Sequence, residues 1–179
     1  GMVPTAAWCS HVLARERYDL GLNLGICGSF DCSLPPGTAA HVVSERLTEM
    51  GAEDDDRFLT IQEMNLLPDD EFPFKGAELV NAAPPPIASL GRLPFVRGIT
   101  VNTVLGSDRS IAAVTKRFNP QVETMEGAAF MYACLIHDLP FAEVRSVSNM
   151  VERRNRAAWK MEEAVGKLAE AGLEILEDA

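Results

Sequence analysis

The sequence predicts an α/β fold, a three-layer α/β/α sandwich around a mixed, mostly parallel sheet. Three features predict it. Strand-like and helix-like segments alternate along most of the chain. The apolar segment from Leu20 to Ile26 lacks the polar alternation of a half-exposed strand, which suits a strand covered on both faces. Glycines and small polar residues mark the ends of the regular segments, where the chain must turn.

The elements follow in order. Gly1 ahead of Met2 reads as the scar of a removed tag. Ala6, Ala7, Cys9, Val12 and Leu13 have helical spacing and run into the charged Arg15-Glu16-Arg17. The strand from Leu20 ends in Gly25-Ile26-Cys27-Gly28. Glycines there either admit a ligand to the backbone amides or make a tight turn. Pro35-Pro36-Gly37 is a turn, and His41 to Ser44 is extended. Residues 51–86 look irregular. Within them Glu53-Asp54-Asp55-Asp56 lacks the alternate ligand spacing of a calcium loop and reads as a solvated turn, while Pro84-Pro85-Pro86 forbids a central strand.

The second half is clearer. Gly98 to Val104 is β-branched and strand-like. Ser107 or Asp108 is the N-cap of a helix whose face is Ile111, Val114, Thr115 and Phe118. Gln121 to Thr124 is extended, Glu126 to His137 helical, and Pro140 to Val147 another strand. From the N-cap candidate Asn155 a last helix presents Met161, Val165, Leu168, Gly172 and either Ile175 or Leu176. No linker composition or repeat interrupts the chain, so residues 1–179 are expected to form one domain.

Composition excludes several function classes. A hydrophobic share of 47% and a charged share of 23% exclude whole-chain disorder. No apolar run approaches the roughly 20 residues of a membrane span, and no secretory leader pattern is present. The formal charge of −10, from 16 Lys+Arg against 26 Asp+Glu, repels phosphate backbones and argues against nucleic acid as a partner. Cys9, Cys27, Cys32 and Cys134, with His11, His41 and His137, form no zinc-like spacing, so no metal is expected. Free thiols fit a reducing cytoplasm.

Two blocks carry candidate chemistry. Val122 to Ala129 joins a strand to a helix, where open α/β sheets bind ligands. Glu126 can accept hydrogen bonds from two adjacent ribose hydroxyls, with Met125 against the sugar face, or it can simply favour the positive end of the helix dipole. Spacing alone leaves both open. Asn149, ending Val144-Arg145-Ser146-Val147-Ser148-Asn149, can hydrogen-bond a purine near N7 or close the strand in an Asx-turn, and on its own the turn is the simpler reading.

Together the blocks resemble a known family. Glu123-Thr-Met-Glu-Gly-Ala-Ala129 and Arg145-Ser-Val-Ser-Asn149 are similar to the paired signatures of the purine nucleoside phosphorylase/nucleosidase superfamily. Gly25-Ile-Cys-Gly28 resembles its glycine-rich loop, and Gly98 to Val104 with Gly106-Ser107 resembles its base-side strand. Val147-Ser-Asn-Met-Val-Glu-Arg-Arg-Asn155 followed by Trp159 most resembles the futalosine hydrolases, whereas the related methylthioadenosine/S-adenosylhomocysteine nucleosidases carry Asp where this chain has Asn149.

The resemblance implies a nucleoside phosphorylase-like fold, no cofactor, a homo-oligomer, and hydrolysis of the N-ribosidic bond of futalosine or 6-amino-6-deoxyfutalosine in menaquinone biosynthesis. Glu126 and Asn149 would be catalytic. Met125 and Glu126 would bind the ribose, and Thr103, Val104 and Asn149 the base. Gly25, Ile26, Cys27 and Gly28 would form the glycine loop. Arg153 or Arg154 would meet the substrate's benzoate, against the alternative of a surface role. The resemblance also implies earlier strands, the first ending near a water-activating glutamate, ahead of the segment that here begins Gly1-Met2-Val3. The chain is accordingly read as N-terminally shortened. That leaves two expectations: a hydrolase, or a nucleoside-binding or scaffold homologue with weak turnover, since losing a general base costs roughly 100-fold to 10,000-fold. Asp31 and Asp108 are in-chain substitutes for that base only if folding brings one to the sugar. A phosphorylase ranks behind both, because Ile26 and Cys27 offer phosphate no charge.

Overall fold

The strand β1 (Gly21–Ser29) and the strand β9 (Phe141–Met150) form the longest ladder of the molecule, parallel from Gly21 opposite Phe141 to Ser29 opposite Met150. Around them the computed structural model, which describes residues 1–179, arranges a seven-stranded mixed sheet. The strand β2 (Ala39–Leu47) runs parallel to β7 (Phe95–Thr100), and β7 runs parallel to β8 (Val122–Thr124). β8 is antiparallel to β1. The first half of β2 also pairs antiparallel with β9, from Ala39 opposite Ser146 to Val42 opposite Glu143. β2, β7, β8, β1 and β9 therefore close into a five-stranded barrel. The short β6 (Glu78–Val80) and β5 (Phe74–Lys75) continue outward from β2.

Alternation along β9 shows how the layers form. Phe141 and Val147 join one apolar cluster with Phe130, Met131 and Cys134 of the helix α4 (Gly127–Ile136), and Val42, Val96 and Val122 of the barrel. Ala142 and Val144 face the other way, onto Ile87, Leu90 and Ile175. These come from the approach to and body of α2 (Ala88–Arg92), and from α5 (Met161–Asp178). The helix α1 (Met2–Leu13) lies outside α4 and buries none of its residues fully. Helices thus cover both sides of a mixed sheet, as the sequence predicts. The closure of that sheet is the addition.

Several boundaries differ from the sequence reading. Residues 51–86 are more regular than expected: besides β5 and β6 they hold a separate hairpin of β3 (Gly51–Asp54) and β4 (Arg57–Thr60). Asp55, at φ 52°, turns it. β7 stops at Thr100, not at Val104. Ser107 caps α3 (Asp108–Phe118), its Oγ accepting from the Ser110 amide at 3.2 Å. Asn155 precedes a short 3-10 turn, Arg156–Ala158, and α5 starts only at Met161. The buried face of α5 is Ala164, Gly172 and Ile175, while Met161, Val165 and Leu176 are exposed. Small residues win that face because Leu24 of β1 already fills the space beside Gly172.

The barrel interior is polar although it is fully buried. Glu45 is fully buried, its Oε2 2.8 Å from Thr100 Oγ1 and its Oε1 2.9 Å from Thr124 Oγ1. The two hydroxyls are themselves 3.1 Å apart. An ionised Glu45 would use both hydroxyl protons and leave the contact between the threonines without one. A protonated Glu45 supplies the third proton, and the three contacts close into a ring with each oxygen donating or accepting in turn. Burial first, then the charge of Glu143, holds the Glu45 carboxyl well above the ordinary carboxylate range. Beside it the fully buried Glu143 accepts from Arg145 Nε at 2.7 Å. Gly25 and Gly127 are required here: a side chain at the first would run into the Arg145 guanidinium, and one at the second into Glu45.

Two outcomes follow from this interior. Folded Glu45 keeps its proton at pH values where the unfolded chain, with an ordinary carboxyl near 4.5, has lost it. The native state then binds more protons, so stability falls as pH rises above that point. Glu45→Gln is expected to flatten part of this fall in denaturant titrations taken at pH 4 to 8, and an unchanged slope would rule out the protonated ring. Arg145→Met removes one partner of a desolvated pair and is expected to lower the unfolding free energy by about 3–5 kcal/mol, measured by urea titration.

Candidate active site

The sequence Val122-Glu-Thr-Met-Glu-Gly127 ends β8 and starts α4, and its polar residues divide into two tasks. A helix start leaves amide donors without partners. Here Thr124 Oγ1 accepts from the Gly127 amide at 3.2 Å, and Thr100 Oγ1 accepts from the Ala128 amide at 2.7 Å. The helix is capped from inside the barrel, and Glu126, at the N-cap position, makes no capping bond. Its carboxylate instead stands at the surface, about a third exposed. Oε1 accepts from the terminal amine of Gly1 at 2.7 Å, and Oε2 lies 3.8 Å from Arg145 Nη1. Arg145 thus reaches from Glu143 in the interior to Glu126 at the rim.

A register shift sets the opposite wall. Cys27 faces Val147 and Gly28 faces Asn149, so Ser148 is an extra residue in β9. Such a bulge re-aims side chains. The Ser148 hydroxyl contacts both the Cys27 carbonyl, at 3.1 Å, and Asn149 Oδ1, at 2.8 Å. Asn149 Nδ2 donates to the Met150 carbonyl at 2.9 Å, which leaves its second hydrogen free for a ligand. No Asx-turn forms, because Oδ1 accepts from the Ser148 hydroxyl and the Val151 amide donates to the Ser29 carbonyl instead. Burial pushes the Cys27 thiol up to about 12, so this group stays neutral.

Across β1 from Asn149 stands a residue that the motif reading passed over. Glu123 lies opposite Gly28 in the β1–β8 ladder. It is 4% exposed, makes no ion pair, and accepts from the Leu105 amide at 3.2 and 3.3 Å through its two oxygens. Burial pushes its carboxyl up to about 7. The Leu105 amide opposes the rise, and the charge of Glu49 adds to it.

These walls enclose a cleft of about 220 Å³ at the ends of β1, β8 and β9. Of the residues named from sequence, Ile26, Cys27, Gly28, Val104, Met125, Glu126 and Asn149 border it. Glu123, Thr124, Ser148 and Trp159 complete it. The remaining candidates fall elsewhere. Thr103 is exposed, with its amide near Glu49 at 3.4 Å, because β7 ends before it. Gly25 sits one step back, against Arg145. Arg153 and Arg154 are exposed, although the Arg154 guanidinium lies 5.9 Å over the ring of Trp159 at the cleft. Asp31 is turned onto Ser33 and Gln121, and Asp108 opens α3. Neither borders the cleft. A larger groove of about 720 Å³, between the β5–β6 segment and the turn after α4, contains none of this chemistry.

Chemically, the cleft offers paired carboxylate acceptors at Glu126, an amide donor at Asn149, a buried acid of raised pKa at Glu123, and apolar walls from Ile26, Met125 and Trp159. Glu123, Thr124, Ser148 and Trp159 carry no site role in the sequence reading. The visible signal for Glu123 was a carboxylate inside a short strand otherwise made for burial.

Comparison with known proteins places the chain. The phosphorylase superfamily model matches residues 1–177. A futalosine hydrolase from Streptomyces coelicolor is 34% identical over 162 residues, covering 89% of this chain and 66% of that protein. The chain spans about two thirds of the length of the curated relatives it matches. In fold it is similar to futalosine hydrolase of Helicobacter pylori, with a TM-score of 0.78 at 13% identity over 100% of this chain and 76% of that one. It is also similar to a 5′-methylthioadenosine/S-adenosylhomocysteine nucleosidase from Colwellia psychrerythraea in complex with adenine, with a TM-score of 0.76 at 20% identity over 99% and 74%. On the strength of the family match over nearly its whole length, this chain belongs to the phosphorylase superfamily.

Proposed function

We propose that the protein is a nucleosidase of the futalosine hydrolase type, releasing hypoxanthine or adenine from futalosine or 6-amino-6-deoxyfutalosine by hydrolysis of the N-ribosidic bond. The observation that carries this reading is that Glu126, at the start of α4, and Asn149, on β9, border one small cleft. The similarity to the Streptomyces futalosine hydrolase supports the choice of substrate.

In this reading the bond from sugar to base lengthens through an oxocarbenium-like state. Positive charge gathers on the ribose and negative charge on the purine. The Glu126 carboxylate accepts from the 2′- and 3′-hydroxyls and holds the sugar. Met125 offers a polarisable face to the ring. Asn149 Nδ2 donates to the leaving base. A donor preorganised at developing charge contributes about 3 kcal/mol. Arg154, whose guanidinium lies over the ring of Trp159 at the cleft, is the arginine this reading assigns to the substrate's carboxylate.

The reading also takes the protein to be cytoplasmic and self-associating. No helix is long and apolar enough to cross a membrane. On α1, Val3 and Trp8 are 78% and 68% exposed, the kind of apolar surface that a second copy covers.

The purified protein is expected to release free purine from futalosine in phosphate-free buffer, followed by chromatography of the base. Glu126→Gln is expected to lower kcat/KM about 100-fold, the loss of one charged binding group in the transition state. Release that depends on phosphate would assign the chain to the phosphorylases. Tight calorimetric binding of futalosine without base release would assign it to the nucleoside-binding homologues.

A further inference from the structure

We propose, resting on the nucleosidase reading above, that Glu123 is the acid that protonates the departing purine. The geometry comes from three neighbouring strands. Glu123 on β8 and Asn149 on β9 both stand opposite Gly28 of β1. A Cβ placed on Gly28 would lie 3.4 Å from Asn149 Nδ2 and 3.9 Å from Glu123 Cβ. The two side chains therefore rise on the same face, either side of a residue with no side chain. Val151 Cγ2 packs 2.8 Å from the same point, and Gly28, Glu123 and Asn149 all border the cleft. Asn149 can donate a hydrogen bond there but has no proton to give up. Asp31 and Asp108 lie off the cleft. Glu126 faces the sugar side, toward Arg145. Glu123 is left as the acid on the base side, in contact with the segment after β7 through Leu105.

Its environment suits the task independently. A carboxyl desolvated by burial and held by only one backbone amide keeps its proton near neutral pH. In the proposed step the electron pair of the N-ribosidic bond passes to the purine. The Glu123 proton moves to a ring nitrogen of that base. Water bonds to the anomeric carbon and releases its proton to solvent, from which Glu123 is recharged. The sum is one nucleoside and one water giving one purine and one free sugar.

The test compares wild type, Glu123→Gln and Glu123→Asp on futalosine, with adenine binding by calorimetry and thermal unfolding as controls. Gln keeps an acceptor for the Leu105 amide, so fold and adenine affinity are expected to persist. Its kcat is expected to fall by roughly 100-fold to 10,000-fold with KM little changed. Wild-type kcat is expected to decline as pH rises past about 7, because the acid form is lost. Glu123→Asp should restore part of the rate with that decline moved. A Gln variant within threefold of wild-type kcat overturns the assignment and leaves the nucleosidase reading intact. Parallel loss of adenine binding and thermal stability in both variants also overturns it, since the residue would then be structural. A wild type that releases no base overturns both readings.

Discussion

Everything at the cleft stands on the ring formed by Glu45, Thr100 and Thr124 inside the barrel. One hydroxyl each from β7 and β8 meets one carboxyl from β2, and the same hydroxyl oxygens accept the first two amides of α4. Three strands and a helix are thereby fixed to one another by hydrogen bonds that water cannot contest. Glu126 benefits most. Because the helix start is satisfied from within, its carboxylate is not consumed by capping, and its orientation is set by the backbone on either side. A buried polar network of this kind contributes rigidity only when every member is satisfied, and the protonated carboxyl is what completes the count.

A second layer of charge lies between this ring and the cleft. Arg145 is 3% exposed and spans Glu143 and Glu126. Its charge is retained despite burial, because the surrounding carboxylates, led by Glu143, favour it. The acids of this region thus differ by depth. Glu45 and Glu143 are sealed in the interior, Glu123 borders the cleft without a counter-charge, and Glu126 stands at the rim beside a cation. Sorting acids by environment is how one fold can assign them different duties.

The sequence made much of this legible, for physical reasons. β1 and the β8–α4 junction could be read because a doubly covered strand lacks alternation and because a helix start has its own residue chemistry. Glu126 and Asn149 are legible only through the resemblance of their two blocks to a known family, since the spacing of either block alone leaves a structural role open. What could not be read depended on distant pairing. The closure of β2 on β9 joins residues about a hundred positions apart through ordinary-looking segments, and nothing local announces it. The β3–β4 hairpin was hidden by its acidic turn and its four-residue strands. The face of α5 is partly legible: Gly172 and Ile175 are buried and Leu168 packs against the core as the spacing predicts, while close packing puts Ala164 there in place of the more hydrophobic Met161 and Val165. Thr103 does not border the cleft, because β7 ends at Thr100 and the chain beyond it brings Val104 to the cleft instead.

The closed barrel has a consequence for how the molecule admits anything at all. Five strands bonded in a ring have no free edge there to peel apart, so the walls of the cleft move only together. Whatever gives way must lie above them, in the segments after β7 and after β9. These two segments are fastened to each other by a backbone bond from the Arg154 amide to the Gly106 carbonyl, 3.2 Å long. Separating the two segments breaks that bond, whereas the closed ring below them offers no edge at which to begin.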